Sequence, residues 1–139
     1  MNPLDRWPVL RLRASHDGRG SLVALQRPTD IPFEVQRVYF IYASAPGAER
    51  GFHAHRLLRK MALCVTGSCT ITLDDGRVRG DIRLSEPDTG LDIDAMVWME
   101  VRDFSPDCVL LMLASNRYDD TDYIRDYDEF VRTARSAAG

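Results

Sequence analysis

Met61-Ala62-Leu63-Cys64-Val65-Thr66-Gly67-Ser68-Cys69-Thr70-Ile71-Thr72-Leu73-Asp74-Asp75-Gly76-Arg77 is the stretch that decides the fold class. Its two apolar runs, 61–65 and 69–73, read as short strands. Thr66-Gly67-Ser68 between them is a hairpin signal. Asp74-Asp75-Gly76-Arg77 predicts a second tight turn, where glycine supplies a positive φ at little cost. The same rhythm runs outward in both directions. Upstream, residues 9–12, 21–25 and 35–42 read as strands, broken by Asp17-Gly18-Arg19-Gly20 and Ala45-Pro46-Gly47-Ala48. Downstream, residues 78–84, 95–101 and 109–114 continue it. Short strands punctuated by turns favour a closed barrel or sandwich over βαβ units.

The C-terminal segment differs. Asp126-Tyr127-Asp128-Glu129 has the form of a capping box, with Asp126 as N-cap and Glu129 at N3. Tyr127, Phe130, Val131 and Ala134 follow at helical spacing, which predicts one helix of about three turns packed outside the β core. The chain of 139 residues suits one domain over 1–139, mainly β with this terminal helix. Its 18 basic and 21 acidic residues leave a net charge of −3, with no basic excess to suit a nucleic-acid backbone. No apolar run has the length of a membrane span. Met1-Asn2-Pro3-Leu4-Asp5-Arg6 does not read as a signal peptide, so the expected location is the cytoplasm. Cys64, Cys69 and Cys108 lack the two-residue spacing of metal or redox pairs and are expected as reduced, mostly buried thiols.

His53-Ala54-His55 is the most informative feature for function. In a strand, residues two apart share a face, so two imidazoles project together. Such a pair suits proton transfer or metal binding. The spacing is similar to the first motif of cupin barrels, but Lys60 stands where a metal-binding cupin places a carboxylate. A protonated ammonium has no lone pair to offer. Met99 stands where the third histidine ligand would fall. Two imidazoles alone are too few for an ordinary first-row metal site, so no metal and no cofactor are expected. The pair is left free for acid–base work.

Arg50-Gly51-Phe52-His53-Ala54-His55, Cys64-Val65-Thr66-Gly67-Ser68-Cys69 and Leu73-Asp74-Asp75-Gly76 together resemble the nucleotide-sugar 3,4-ketoisomerases, cupins related to the deoxysugar epimerases. Arg19-Gly20-Ser21-Leu22, Arg37-Val38-Tyr39, Val97-Trp98, Asp103-Phe104-Ser105 and Leu113-Ala114-Ser115 extend the resemblance. So does Tyr118-Asp119-Asp120-Thr121-Asp122-Tyr123-Ile124-Arg125. The resemblance implies a metal-independent homodimeric jelly-roll β-barrel. It further implies conversion of dTDP-4-keto-6-deoxyglucose to its 3-keto isomer in deoxyamino-sugar biosynthesis. Two positions depart from the family pattern: Met99 replaces the histidine that usually follows Val-Trp, and Lys60 replaces a Gln or Glu.

The chemistry fits the residue types. Moving a ketone from C4 to C3 needs a proton taken from C3, an enediolate, and a proton delivered to C4. Imidazole titrates near working pH and suits the shuttle. His55 and His53 are the proton-transfer candidates, with His55 favoured as base. Tyr39 is a candidate to bind the sugar oxygens. Arg37, Tyr39 and Ile41 share one strand face, so Arg37 can reach the same cavity. Arg50, Arg19 and Arg102 are candidates for the sugar or the diphosphate. Trp98 and Phe104 are expected in the core. Two other readings stay open: a catalytically degraded cupin that only binds a nucleotide sugar, and a nucleotide-sugar epimerase.

Overall fold

The computed structural model describes residues 2–138. A short helix α1 (Pro3–Arg6) leads into strands β1 (Leu10–Arg11), β2 (Ala14–Asp17), β3 (Gly20–Val23), β4 (Arg37–Ile41), β5 (Arg50–His55) and β6 (Lys60–Thr66). These are followed by β7 (Cys69–Asp74), β8 (Arg79–Leu84), β9 (Thr89–Ile93), β10 (Trp98–Arg102) and β11 (Val109–Ala114). A 3-10 turn at Asp120–Asp122, strand β12 (Tyr123–Ile124) and helix α2 (Tyr127–Ala138) complete the chain. Two antiparallel five-stranded sheets result, ordered β1-β9-β6-β11-β4 and β12-β5-β10-β7-β8, beside a β2-β3 hairpin. The expected cupin jelly roll is thus present as two facing sheets. Segments α1, β2, β9 and β12 are not anticipated from the sequence.

The turn at Thr66-Gly67-Ser68 behaves differently from the hairpin expected there. β6 pairs with β11 and β9, while β7 pairs with β10 and β8. The turn therefore carries the chain from one sheet to the other. A short apolar–turn–apolar pattern is common to both geometries, so sequence alone favoured the commoner one. Asp74-Asp75-Gly76-Arg77 does close a true hairpin, with Val78 N–H donating to Asp75 Oδ1 at 2.8 Å. Strand β10 starts at Trp98 rather than Ala95, because Met96 takes a left-handed φ of 59° just before it.

Alternation sorts side chains into layers. Ala62, Cys64, Ile71, Leu73, Leu91, Met99, Val101, Leu110 and Met112 fill the space between the sheets. All three cysteines are free and buried at one end of it, with Cys64 Sγ 3.5 Å from Cys69 Sγ and 3.7 Å from Cys108 Sγ. Met61, Leu63 and Leu113 face outward and are covered by Leu12, Ile31 and Phe33.

α2 covers the outer face of the second sheet. Asp126 caps it as expected, accepting from Asp128 N–H at 3.1 Å. Glu129 pairs with Arg56 at 3.2 Å, so the reciprocal half of the capping box is not made. Phe130 and Ala134 seat the helix on Trp98, Ala54 and Ile124. Phe130 is fully buried, so Phe130→Ala is expected to cost about 3–5 kcal/mol through lost contacts and a residual cavity. Urea denaturation will read this as a lowered midpoint.

Candidate active site

A β-bulge sets the site. β10 pairs with β5 through Met99–His53 and then Glu100–Gly51, so Phe52 is the extra residue. Gly51 has φ +90°, and a Cβ there would lie 2.6 Å from the Met99 carbonyl oxygen. Only glycine fits such an approach. Phe52, at φ 57°, occupies the left-handed region, which costs about 1–2 kcal/mol for a residue with a Cβ. The bulge changes the parity of the strand. As a result Arg50 and His53, an odd number of residues apart, both reach one cavity.

That cavity has a volume of about 380 Å³, within the usual range for a small-ligand site. Arg37, Tyr39 and Ile41 form one wall, with their shared face turned inward as alternation requires. Arg50, His53 and Met99 form the opposite wall, and Tyr123 closes one end. Among the described residues no carboxylate lines it. Tyr39 is half-buried, and its phenol is pushed up to about 12 by burial. Its ring lies 4.5 Å from the Arg37 guanidinium carbon.

The two imidazoles sit edge to face, with ring centroids 4.9 Å apart. Their roles differ. His53 Nδ1 lies 3.0 Å from the Gly51 carbonyl oxygen, which can only accept. Nδ1 therefore carries the proton, and the lone pair belongs to Nε2. Nε2 is buried and has no hydrogen-bond partner among the described residues. Burial and the nearby Lys60 charge push His53 down to about 4, so it is neutral at physiological pH.

His55, favoured from sequence as the base, does not line the cavity. It is 4% exposed and stands behind His53, with Nδ1 3.2 Å from Asp122 Oδ2. Burial, then Lys60, holds its titration well below the ordinary imidazole value. The adjacent carboxylate does not reverse this. Asp122 also accepts the backbone N–H groups of Leu57 (2.8 Å) and Leu58 (3.2 Å), so its charge is shared among three donors.

Two arginine candidates lie elsewhere. Arg102 points to the outer face of the second sheet, where it bonds Glu100, Glu49 and Thr72. Arg79, Trp98 and Tyr127 join the same network through Glu100 and Asp74. Arg102 shares its face with Trp98, as the alternation predicts, but that face lies under α2. Arg19 is exposed in the β2-β3 turn, paired with Asp17 at 2.8 Å, and is remote from the cavity lining within this chain. Trp98 is buried beneath α2 and Phe104 packs on the core, both as expected.

Tyr123 was missed. It lies within the Tyr118–Arg125 stretch but was given no role. Its ring stacks at 4.4 Å from His55 and 4.8 Å from His53. The signal was an aromatic in a short β-bridge segment, which periodicity cannot detect over two residues. For metal binding, the donor set around the imidazoles is poor. Asp122 meets His55, but among the described residues it does not converge with both imidazoles at ligating range; the group that converges is Cys64, Cys69 and Cys108.

Residues 6–135 match the family model described as FdtA, WxcM-like, C-terminal. The chain is 47% identical over 124 residues to a TDP-4-oxo-6-deoxy-α-D-glucose-3,4-oxoisomerase of Aneurinibacillus thermoaerophilus, covering 89% of each chain. A 3,4-ketoisomerase from Helicobacter canadensis superposes with a TM-score of 0.89 at 45% identity, over 93% of this chain and 97% of that one. The sugar 3,4-ketoisomerase QdtA from Thermoanaerobacterium thermosaccharolyticum, solved with TDP, gives 0.90 at 37% identity, over 94% and 96%. With a cavity walled by a neutral imidazole and two guanidiniums on the same jelly roll, the chain belongs to the FdtA family of sugar 3,4-ketoisomerases.

Proposed function

We propose that this isomerase converts a TDP-linked 4-keto-6-deoxyhexose to its 3-keto isomer, with His53 as the proton-transfer base. The observation that carries the reading is the unpartnered Nε2 of a tautomer fixed by Gly51, on an imidazole that lines a cavity with no carboxylate among its described lining residues. The C3 proton passes to Nε2, and the electron pair flows into the adjacent carbonyl to give an enediolate. The resulting imidazolium returns the proton to C4, while the hydroxyl proton on O3 passes to O4, so that the carbonyl is left at C3 and the hydroxyl at C4. Met99 has no proton to offer, and His53 is the imidazole among the lining residues. One base therefore serves two adjacent carbons on one face of the sugar. The Tyr39 and Tyr123 hydroxyls are available to bond sugar oxygens.

Arg37 and Arg50 form no ion pair with the described carboxylates and stand at one cavity, which suits a diphosphate. The chain acts as one unit over 1–139, without metal or cofactor. A second copy is its partner. Val38 and Phe40 on β4 and Tyr42 just beyond it are exposed, and among the described residues β4 is an edge strand that pairs with β11 alone. Phe40 and Tyr42 also line the cavity, so a partner there would cover its open side. Three free buried thiols agree with a reducing cytoplasmic setting, and no described helix is long and apolar enough to cross a membrane.

Incubation with TDP-4-keto-6-deoxyglucose in deuterated water, followed by NMR, tests the reading. Carbonyl migration to C3 is expected. Tight binding without turnover would indicate a degraded cupin. Exchange at C3 and C5 with the carbonyl unmoved would indicate an epimerase. His53→Asn is expected to lower kcat by about 10²–10⁴-fold, the usual contribution of a general base.

Arg37→Ala and Arg50→Ala are each expected to weaken TDP binding about tenfold or more, since each removes a charge-assisted contact. Arg102→Ala should leave TDP affinity unchanged and lower the denaturation midpoint. Calorimetric titration with TDP reads the first effect and urea melts read the second.

A further inference from the structure

Lys60 opens β6 at 2% exposure, and its Nζ has no hydrogen-bond partner among the described residues. An ammonium in that position is costly and calls for a reason. Strand register gives its direction. Arg37 pairs with Ala114, and Ala114 with Lys60; one step along, Tyr39 pairs with Met112, and Met112 with Ala62. Tyr39 and Met112 line the cavity, and Ala62 lies in the core between the sheets. Alternation therefore turns Arg37, Ala114 and Lys60 to the same inner side. Ala114 is too small to block the row. Lys60 consequently approaches the cavity from behind, toward the imidazoles that project from the facing sheet.

We propose that Lys60 is a positioning residue for the isomerisation, a cation sealed behind His53 and His55 that keeps both imidazoles uncharged and His53 ready to accept a proton. The proposal rests on His53 as the base. A closed apolar space holds one added positive charge far more readily than two. The charged groups that act on Lys60 are Arg37 from β4 and Asp122 from the 3-10 turn. Those that act on the histidines are Lys60, Arg37 and, from beyond β12, Arg125. Tyr39 and Tyr123 are the nearby phenols. Asp122 is the one carboxylate in this set, and its oxygens are occupied by His55 and two backbone amides.

Titration follows this order. Burial pulls Lys60 down to about 7, and His53 lies at about 4. As pH falls through neutrality, the first proton taken up goes to Lys60. Its charge then opposes protonation of either imidazole, so the groups titrate as one coupled set. A general base works when unprotonated. The acid limb of kcat/KM should therefore lie well below the ordinary imidazole pKa of about 6.5.

The test compares wild type with Lys60→Met, Lys60→Gln and Lys60→Arg by two readouts. The first is the pH profile of kcat/KM. The second is the imidazole Cε1–H titration by NMR on the substrate-free protein. In Lys60→Met and Lys60→Gln, the acid limb and the His53 titration should both move up by about one pH unit or more. That corresponds to about a tenfold loss of kcat/KM at pH below the new limb relative to wild type. Lys60→Arg, a permanent cation, should keep the limb low. An unchanged limb in a folded Lys60→Met or Lys60→Gln overturns the proposal, as does a loss that is uniform across pH. The NMR titration needs no turnover. If wild type fails to isomerise the sugar while the His53 titration still shifts, the assigned reaction fails and the role of Lys60 stands.

Discussion

The site depends on one hydrogen bond, from His53 Nδ1 to the Gly51 carbonyl at 3.0 Å. It decides which ring nitrogen carries the proton and so which one can act. The bond exists because the chain bulges at Gly51-Phe52, and the bulge exists because glycine there tolerates the Met99 carbonyl. A strand without the bulge would place Arg50 and His53 on opposite faces. The guanidinium and the imidazole would then be separated by the sheet. A local backbone irregularity thus supplies both the tautomer and the composition of the cavity.

Much of the fold was legible in the sequence because most strands carry their own pattern. Val109–Ala114 is apolar and closed on both sides, and it reads as a strand without help. Asp126 before a helical apolar spacing gave the start of α2. What escaped was set by partners. Tyr123–Ile124 is a strand only because β5 lies beside it. The Thr66–Ser68 turn joins two sheets rather than two paired strands, which depends on where β10 and β11 run. Residue types alone do not encode either.

The site was legible to the same degree. His53, Tyr39, Arg37 and Arg50 line one cavity; strand parity suggested this for Arg37 and Tyr39, whereas Arg50 joins His53 there only through the bulge, which parity does not foresee. The difference in setting between His53 and His55 was not readable, because both lie on the same face of β5. Depth separates them, and depth is fixed by Asp122 and Tyr123 far along the chain. Arg102 was misplaced for a related reason. Parity correctly grouped it with Trp98 and Glu100, but parity does not say which face of a sheet is covered by a helix and which by the second sheet.

Charge is sorted by the same layering. Arg79 and Arg102 face outward and are neutralised by Asp74, Glu49 and Glu100 beneath or beside α2. Arg37 and Arg50 face the cavity and meet no carboxylate there. The inner surface is therefore positive, which suits an anionic diphosphate and an enediolate. That same potential opposes a positive imidazolium, so the field that suits an anion also keeps the buried imidazole neutral. In the proposed reaction His53 would bear a proton only in transit, when negative charge has developed on the sugar beside it and the two charges offset each other. The cost of burying imidazole among cations is thus lowest at the point in the reaction where the imidazolium must form.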